Sequence, residues 1–107
     1  MAIEFGKRLG LGGLRLPILD PNEQRSIDYD TLDKMVDLFM EKGFTYFDTS
    51  YIYHGGFSET ALGKSLVDRY PRDSFLLSTK MPIKFMQKKE DMERVFEEQL
   101  QKCHVDY

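Results

Sequence analysis

TYFDTSYIYHGGFSE, residues 45–59, reads as a buried strand that ends on a carboxylate. Thr45, Tyr46 and Phe47 are β-branched or aromatic and favour a pleated, packed backbone. Asp48 follows them with no turn residue between, so the acid stands at the strand's carboxyl end. After it come Tyr51, Tyr53 and His54, then Gly55 and Gly56 to bend the chain. Ser58 and Glu59 supply an acceptor side chain and an acid suited to the positive end of a helix. The stretch is therefore a strand, a polar loop and a helix start, with ionisable groups gathered in the loop.

Upstream, Asp30 can cap a helix over residues 31–42, with Asp33 three residues on as an approximate capping box and Gly43 as the stop. Leu32, Met35, Val36 and Phe39 make one apolar stripe at helical spacing. Before it lies a polar loop, residues 18–26, and before that LGLGGLRLP, residues 9–17. This alternation reads as a short, tightly packed strand, because glycine in a strand marks close approach of another backbone. A dinucleotide fingerprint would need a third glycine at the right spacing and an immediate helix, and Arg15, Leu16 and Pro17 supply neither. Residues 3–5 open the chain.

Downstream, a helix over residues 59–69 buries Ala61, Leu62, Leu66 and Tyr70 and is stopped by Pro71. Residues 74–79 are a second strand, closed by Lys80. A third helix over residues 90–102 carries Met92, Val95, Phe96, Leu100 and Cys103 on one face. Val105, Asp106 and Tyr107 read as the start of another strand. Strands and helices alternate throughout, which implies a parallel sheet with right-handed crossovers.

With 107 residues, 41% of them apolar and 31% charged, the chain suits one soluble domain with a modest core. Its 15 lysines and arginines are interleaved with 18 acids, for a net charge of −3, which argues against nucleic-acid and membrane-surface partners. Lys84, Lys88 and Lys89 form the one local basic cluster and read as solvated. Cys103 is the single cysteine, so neither an internal disulfide nor a cysteine-rich metal site is expected, and a reducing compartment fits. Glu4, Lys7, Arg8 and several glycines break up the amino terminus, leaving no long apolar leader or membrane span. The cytoplasm is the expected location.

In parallel α/β folds a ligand sits at the carboxyl ends of the strands. Asp48 and Lys80 occupy that position on two successive strands, and Tyr53 lies in the loop between them. An ammonium close to a phenol favours the phenolate and lowers a pKa that starts near ~10, while a carboxylate holds the lysine charged and in place. Such a trio makes a proton donor usable near neutral pH. Tyr46 and Tyr51 compete as the acid, although Tyr46 belongs to the strand body. His54 reads either as a substrate-mouth residue or as an exposed loop histidine, and with His104 far away in sequence no metal-ligand spacing exists. Ser50 and Ser58 sit in no nucleophile elbow.

FDTSYIY, residues 47–53, with HGGFSE after it, resembles the signature of the aldo-keto reductases. In that family an aspartate and a tyrosine five positions later are two members of a catalytic tetrad. Lys80, closing LLSTK, is similar to the family's lysine, GLGGLRLP to its first barrel strand, and LQKCHVDY to the run-in to its fourth. The resemblance implies the amino-terminal part of a (β/α)8 barrel, about three βα units of it. It further implies NADPH- or NADP-dependent interconversion of small carbonyl compounds and alcohols. Tyr53 would give the proton, Lys80 would tune it, and Asp48 would hold Lys80 and lie near the nicotinamide.

The YHGG loop also resembles members that carry an iron-sulfur appendage, for which these residues supply no cysteine motif. The tetrad histidine belongs at the end of the fourth strand, and His104 precedes that point, so the chain alone is expected to be inactive. A barrel of this kind takes about 250 residues. The family's amino-terminal hairpin is shortened here. Two other readings stand beside this one. One is a catalytically silent half-barrel that acts through self-association, since an open parallel sheet exposes its edges. The other is a small nucleotide-binding module, for which the phosphate loop is missing.

Overall fold

The computed structural model describes residues 7–107, so the opening residues 3–5, and with them the expected shortening of the amino-terminal hairpin, lie outside the described part. Three short strands, β1 (Gly10–Gly12), β2 (Tyr46–Asp48) and β3 (Leu76–Ser78), form one sheet in the order β1-β2-β3. Both pairings are parallel, with Gly12 opposite Asp48 and Asp48 opposite Ser78. Between and after the strands run α1 (Tyr29–Glu41), α2 (Ser58–Leu62) and α3 (Lys89–Cys103). The alternation read from the sequence is therefore the alternation observed, an incomplete parallel β/α sheet.

Side chains alternate across a strand, so Leu11, Phe47 and Leu77, which are in register, share one face. That face meets the helices. Phe47 is fully buried with Leu32 and Val36 of α1 and with Ala61, Leu62 and Leu66, and its ring sits edge-on to Phe39 at 5.1 Å. The opposite face carries Tyr46, Asp48 and Ser78.

Local chemistry shifts several boundaries. Asp28, not Asp30, caps α1: its carboxylate accepts from the Thr31 amide at 3.2 Å and the Thr31 hydroxyl at 2.7 Å. Asp28 has non-helical backbone angles and Asp30 is already inside the first turn. Met35 is exposed, and Leu32 and Val36 carry the buried stripe. The second helix begins at Ser58 and gives way at Gly63 to a π-helical turn, Gly63–Val67. A Cβ on Gly63 would stand 2.8 Å from the Lys102 carbonyl oxygen, so the bare glycine lets this turn lie directly on the end of α3.

In α3 the inward residues are Val95, Gln99 and Cys103, while Met92 and Phe96, expected on the buried face, are exposed. His104 ends α3 in the left-handed region, φ 61°, with its Nδ1 2.9 Å from Asp68. Val105, Asp106 and Tyr107 follow without strand pairing, contrary to the expected fourth strand. The loop over residues 18–26 is tied at its base by an antiparallel bridge between Ile18 and Ile27.

Candidate active site

Asp48, Tyr53 and Lys80 converge at the carboxyl ends of β2 and β3. Lys80 Nζ lies 3.0 and 2.9 Å from the two Asp48 carboxylate oxygens, donates to the Thr49 carbonyl at 2.9 Å and reaches the Tyr53 hydroxyl at 3.3 Å. The backbone sets this up. Beyond the last ladder pair, the Thr49 amide donates to the Ser78 carbonyl at 2.8 Å and the Tyr51 amide to the Lys80 carbonyl at 3.2 Å. The two chains thus stay side by side past the strands, and Lys80 folds back over Asp48.

The site is open on one side, with the Lys80 and Asp48 side chains 49% and 33% exposed. Partial burial pulls the Lys80 ammonium down, but its hydrogen bonds to Asp48 and Tyr53 outweigh that and the net shift is upward. Lys80 is held cationic. The Tyr53 oxygen accepts from this ammonium, and its own proton has no acceptor among the described residues.

One competing tyrosine is engaged elsewhere. Tyr51 donates to both oxygens of Glu98 at 3.0 and 3.1 Å, and this hydrogen bond to a carboxylate pushes its phenol pKa up. Tyr46 starts β2, two residues before Asp48 on the same face.

The turn bearing Tyr53 (Tyr53–Gly56) runs through three consecutive positive φ values, 54° at His54, 60° at Gly55 and 94° at Gly56. Two glycines take two of these at no steric cost. His54 is not the exposed loop residue that the sequence also allowed. It is buried, with its ring between the Leu16 amide and the Gln24 carbonyl.

Beneath the site, Ser58 and Glu59 reach all three strand ends. The Ser58 hydroxyl donates to the Gly13 carbonyl at 2.9 Å and pairs with the Thr49 hydroxyl at 2.7 Å. Glu59 is 0% exposed. It accepts from Thr79 at 2.7 Å and from Gln99 at 3.1 Å, and Gln99 also donates to the Lys80 carbonyl at 2.9 Å. Lys102 Nζ is 3.0 Å from the other Glu59 oxygen, which receives no well-directed hydrogen bond. Charge attraction depends on distance more than on angle, so this contact is an ion pair. By sequence alone Glu59 is a helix-start acid. One signal pointed further: Gln99 falls on the buried stripe between Val95 and Cys103.

Among the described residues no three His, Cys, Asp or Glu side chains gather as metal ligands, and no helix is long and apolar enough to cross a membrane. Gly12, the register partner of Asp48 on the same face, has nothing among the described residues within 4 Å of where a Cβ would stand.

No curated protein matches the chain. A solved thermostable aldo-keto reductase in complex with the inhibitor epalrestat is 26% identical, with a TM-score of 0.64 over 92% of this chain and 34% of its own. An aldo-keto reductase from Klebsiella pneumoniae in complex with NADPH is 26% identical, with a TM-score of 0.67 over 92% of this chain and 31% of its own. An aldo/keto reductase from Brucella melitensis shares the fold, at 23% identity and a TM-score of 0.64 over 92% of this chain and 33% of its own. The chain thus spans about a third of the solved structures it matches. The family model described as the Aldo/keto reductase family matches residues 8–107, and the chain belongs to that family.

Proposed function

We propose that this chain carries the proton-donating part of an NADP(H)-dependent oxidoreductase that interconverts small carbonyl compounds and alcohols. The observation that carries the reading is the Lys80 ammonium bonded at once to the Asp48 carboxylate and the Tyr53 phenol. The resemblance of residues 47–59 to the family signature and the NADPH bound to the Klebsiella pneumoniae relative support it. On this reading Asp48 also flanks the nicotinamide end of the cofactor, as the family resemblance implies. NADPH, when bound, supplies the hydride that goes to the carbonyl carbon. Tyr53 gives its free proton to the carbonyl oxygen. Lys80 stabilises the negative charge left on the phenol oxygen, and Asp48 keeps Lys80 charged and oriented. In the alcohol-oxidising direction Tyr53 takes the proton back.

The test uses a polypeptide that carries this chain within a complete barrel. Incubated with NADPH deuterated at the transferring position and a series of simple aldehydes, it should yield alcohols with deuterium on the carbinol carbon. Absence of turnover across aldehydes and ketones with NADPH and NADH alike would set the reading aside. A second reading, a silent half-barrel acting through self-association, is favoured by the open outer edges of β1 and β3 in the described sheet. Sedimentation of the isolated chain separates the two: a concentration-independent monomer counts against association.

A further inference from the structure

We propose that His54 is a positioning residue for Tyr53, acting as a neutral imidazole that carries its proton on Nδ1. The proposal rests on the reading of Tyr53 as proton donor. His54 is only 6% exposed and takes up the left-handed backbone, φ 54° and ψ 45°, that non-glycine residues seldom adopt. Its two ring nitrogens meet opposite kinds of main-chain group. The Leu16 amide donates to Nε2 at 2.9 Å, and Nδ1 lies 2.7 Å from the Gln24 carbonyl oxygen. An N–H needs a lone pair and a carbonyl needs a proton. The partners therefore dictate both the tautomer and the neutral state.

Leu16 closes the turn after β1, and Gln24 lies in the loop between that turn and α1. One ring thus fastens the segment after β1 to the segment after β2. Other bonds of the turn itself are local, from the Tyr53 amide to the Ser50 carbonyl and from the Phe57 amide to the His54 carbonyl. Among the described residues, the side-chain hydrogen bonds that tie residues 53–56 to distant parts of the chain are those of His54 and the Lys80 contact to Tyr53. With the ring in place the phenol next to it is held 3.3 Å from the ammonium. Without it, the Lys80 contact to Tyr53 is the remaining side-chain hydrogen bond from residues 53–56 to a distant part of the chain among the described residues.

The experiment is nuclear magnetic resonance on the isotope-labelled 107-residue chain. Long-range proton–nitrogen correlations at neutral pH should show the His54 proton on Nδ1, with a through-hydrogen-bond coupling between the Leu16 nitrogen and Nε2. In His54→Gly, which keeps the left-handed backbone without strain, the Tyr53 ring carbon bearing the hydroxyl should move toward its value in an unstructured peptide. Free imidazole added to fill the vacated space should move it back.

A proton on Nε2, a missing coupling to Leu16, or a Tyr53 signal unmoved in the variant would each overturn the proposal. His54→Phe, which fills the space without the nitrogens, makes the same comparison if the glycine variant lacks dispersed sheet amides. Failure of both variants to fold would assign His54 to stability alone and also overturn it. These readouts need no turnover, so a failed oxidoreductase assay leaves them standing and the reverse also holds.

Discussion

Replacing Glu59 by alanine tests how much the hidden carboxylate under the site contributes. The side chain is fully buried, accepts from Thr79 and Gln99, and pairs with Lys102. Breaking a buried ion pair by removing one partner costs about 3–5 kcal/mol. Two features put this case at the lower end. The Lys102 side chain is 19% exposed and can turn its ammonium to water, and Gln99 keeps its bond to the Lys80 carbonyl.

A loss of about 3 kcal/mol is therefore expected, against a total stability of roughly 5–15 kcal/mol for a domain of this size. With a urea dependence of about 1.5 kcal/mol per molar, the unfolding midpoint followed by far-ultraviolet circular dichroism should fall by about 2 M. The double variant Glu59→Gln with Lys102→Met removes both charges and should recover about half of the loss. A midpoint shift worth less than about 1 kcal/mol, or additive effects in the Glu59 and Lys102 cycle, would refute the argument.

Gly13→Ala should cost about 1–3 kcal/mol, because the added Cβ would stand 2.9 Å from the Asp48 carbonyl oxygen and 2.7 Å from the Ser58 hydroxyl; thermal unfolding measures it. Burial pushes the Cys103 thiol up to about 12, so native protein at pH 8 should resist alkylation by iodoacetamide and label only on unfolding, as read by mass spectrometry. Hydrogen bonds from Tyr70 and then Arg69 hold the Asp37 carboxyl below its ordinary value. A carboxyl lowered in the folded state stabilises above its unfolded pKa, near ~3.9, and that share is lost as pH falls through the lower folded value. Asp37→Asn should accordingly flatten the acid limb of the stability curve below about pH 4 and leave its shape near neutrality unchanged.

The three converging side chains were legible because their positions follow from short-range rules: an acid directly after an apolar strand, a lysine directly after the next, and a loop between. The sheet was legible from the alternation of periods. What escaped depends on distant parts of the chain. Glu59 is buried by Gln99 and Lys102, forty or more residues on, and nothing near it in sequence marks that. His54 is satisfied by main-chain groups of Leu16 and Gln24, which side-chain patterning does not register. In α3 the expected stripe of Met92, Val95, Phe96, Leu100 and Cys103 is buried at Val95 and Cys103 but exposed at Met92 and Phe96, because the inward face is set by what lies opposite, and there Gln99 answers Glu59. Asp28 takes the capping place expected of Asp30 through its non-helical backbone angles and its bonds from Thr31, neither of which residue spacing registers.

The measurement closest to the central claim compares kcat/KM for NADPH-dependent aldehyde reduction by the complete barrel with and without Tyr53→Phe. A positioned general acid contributes about 10²- to 10⁴-fold, so the variant should fall by that factor while binding NADPH as before. Activity within a few-fold of the parent would contradict the assignment of residue 53 as the proton donor.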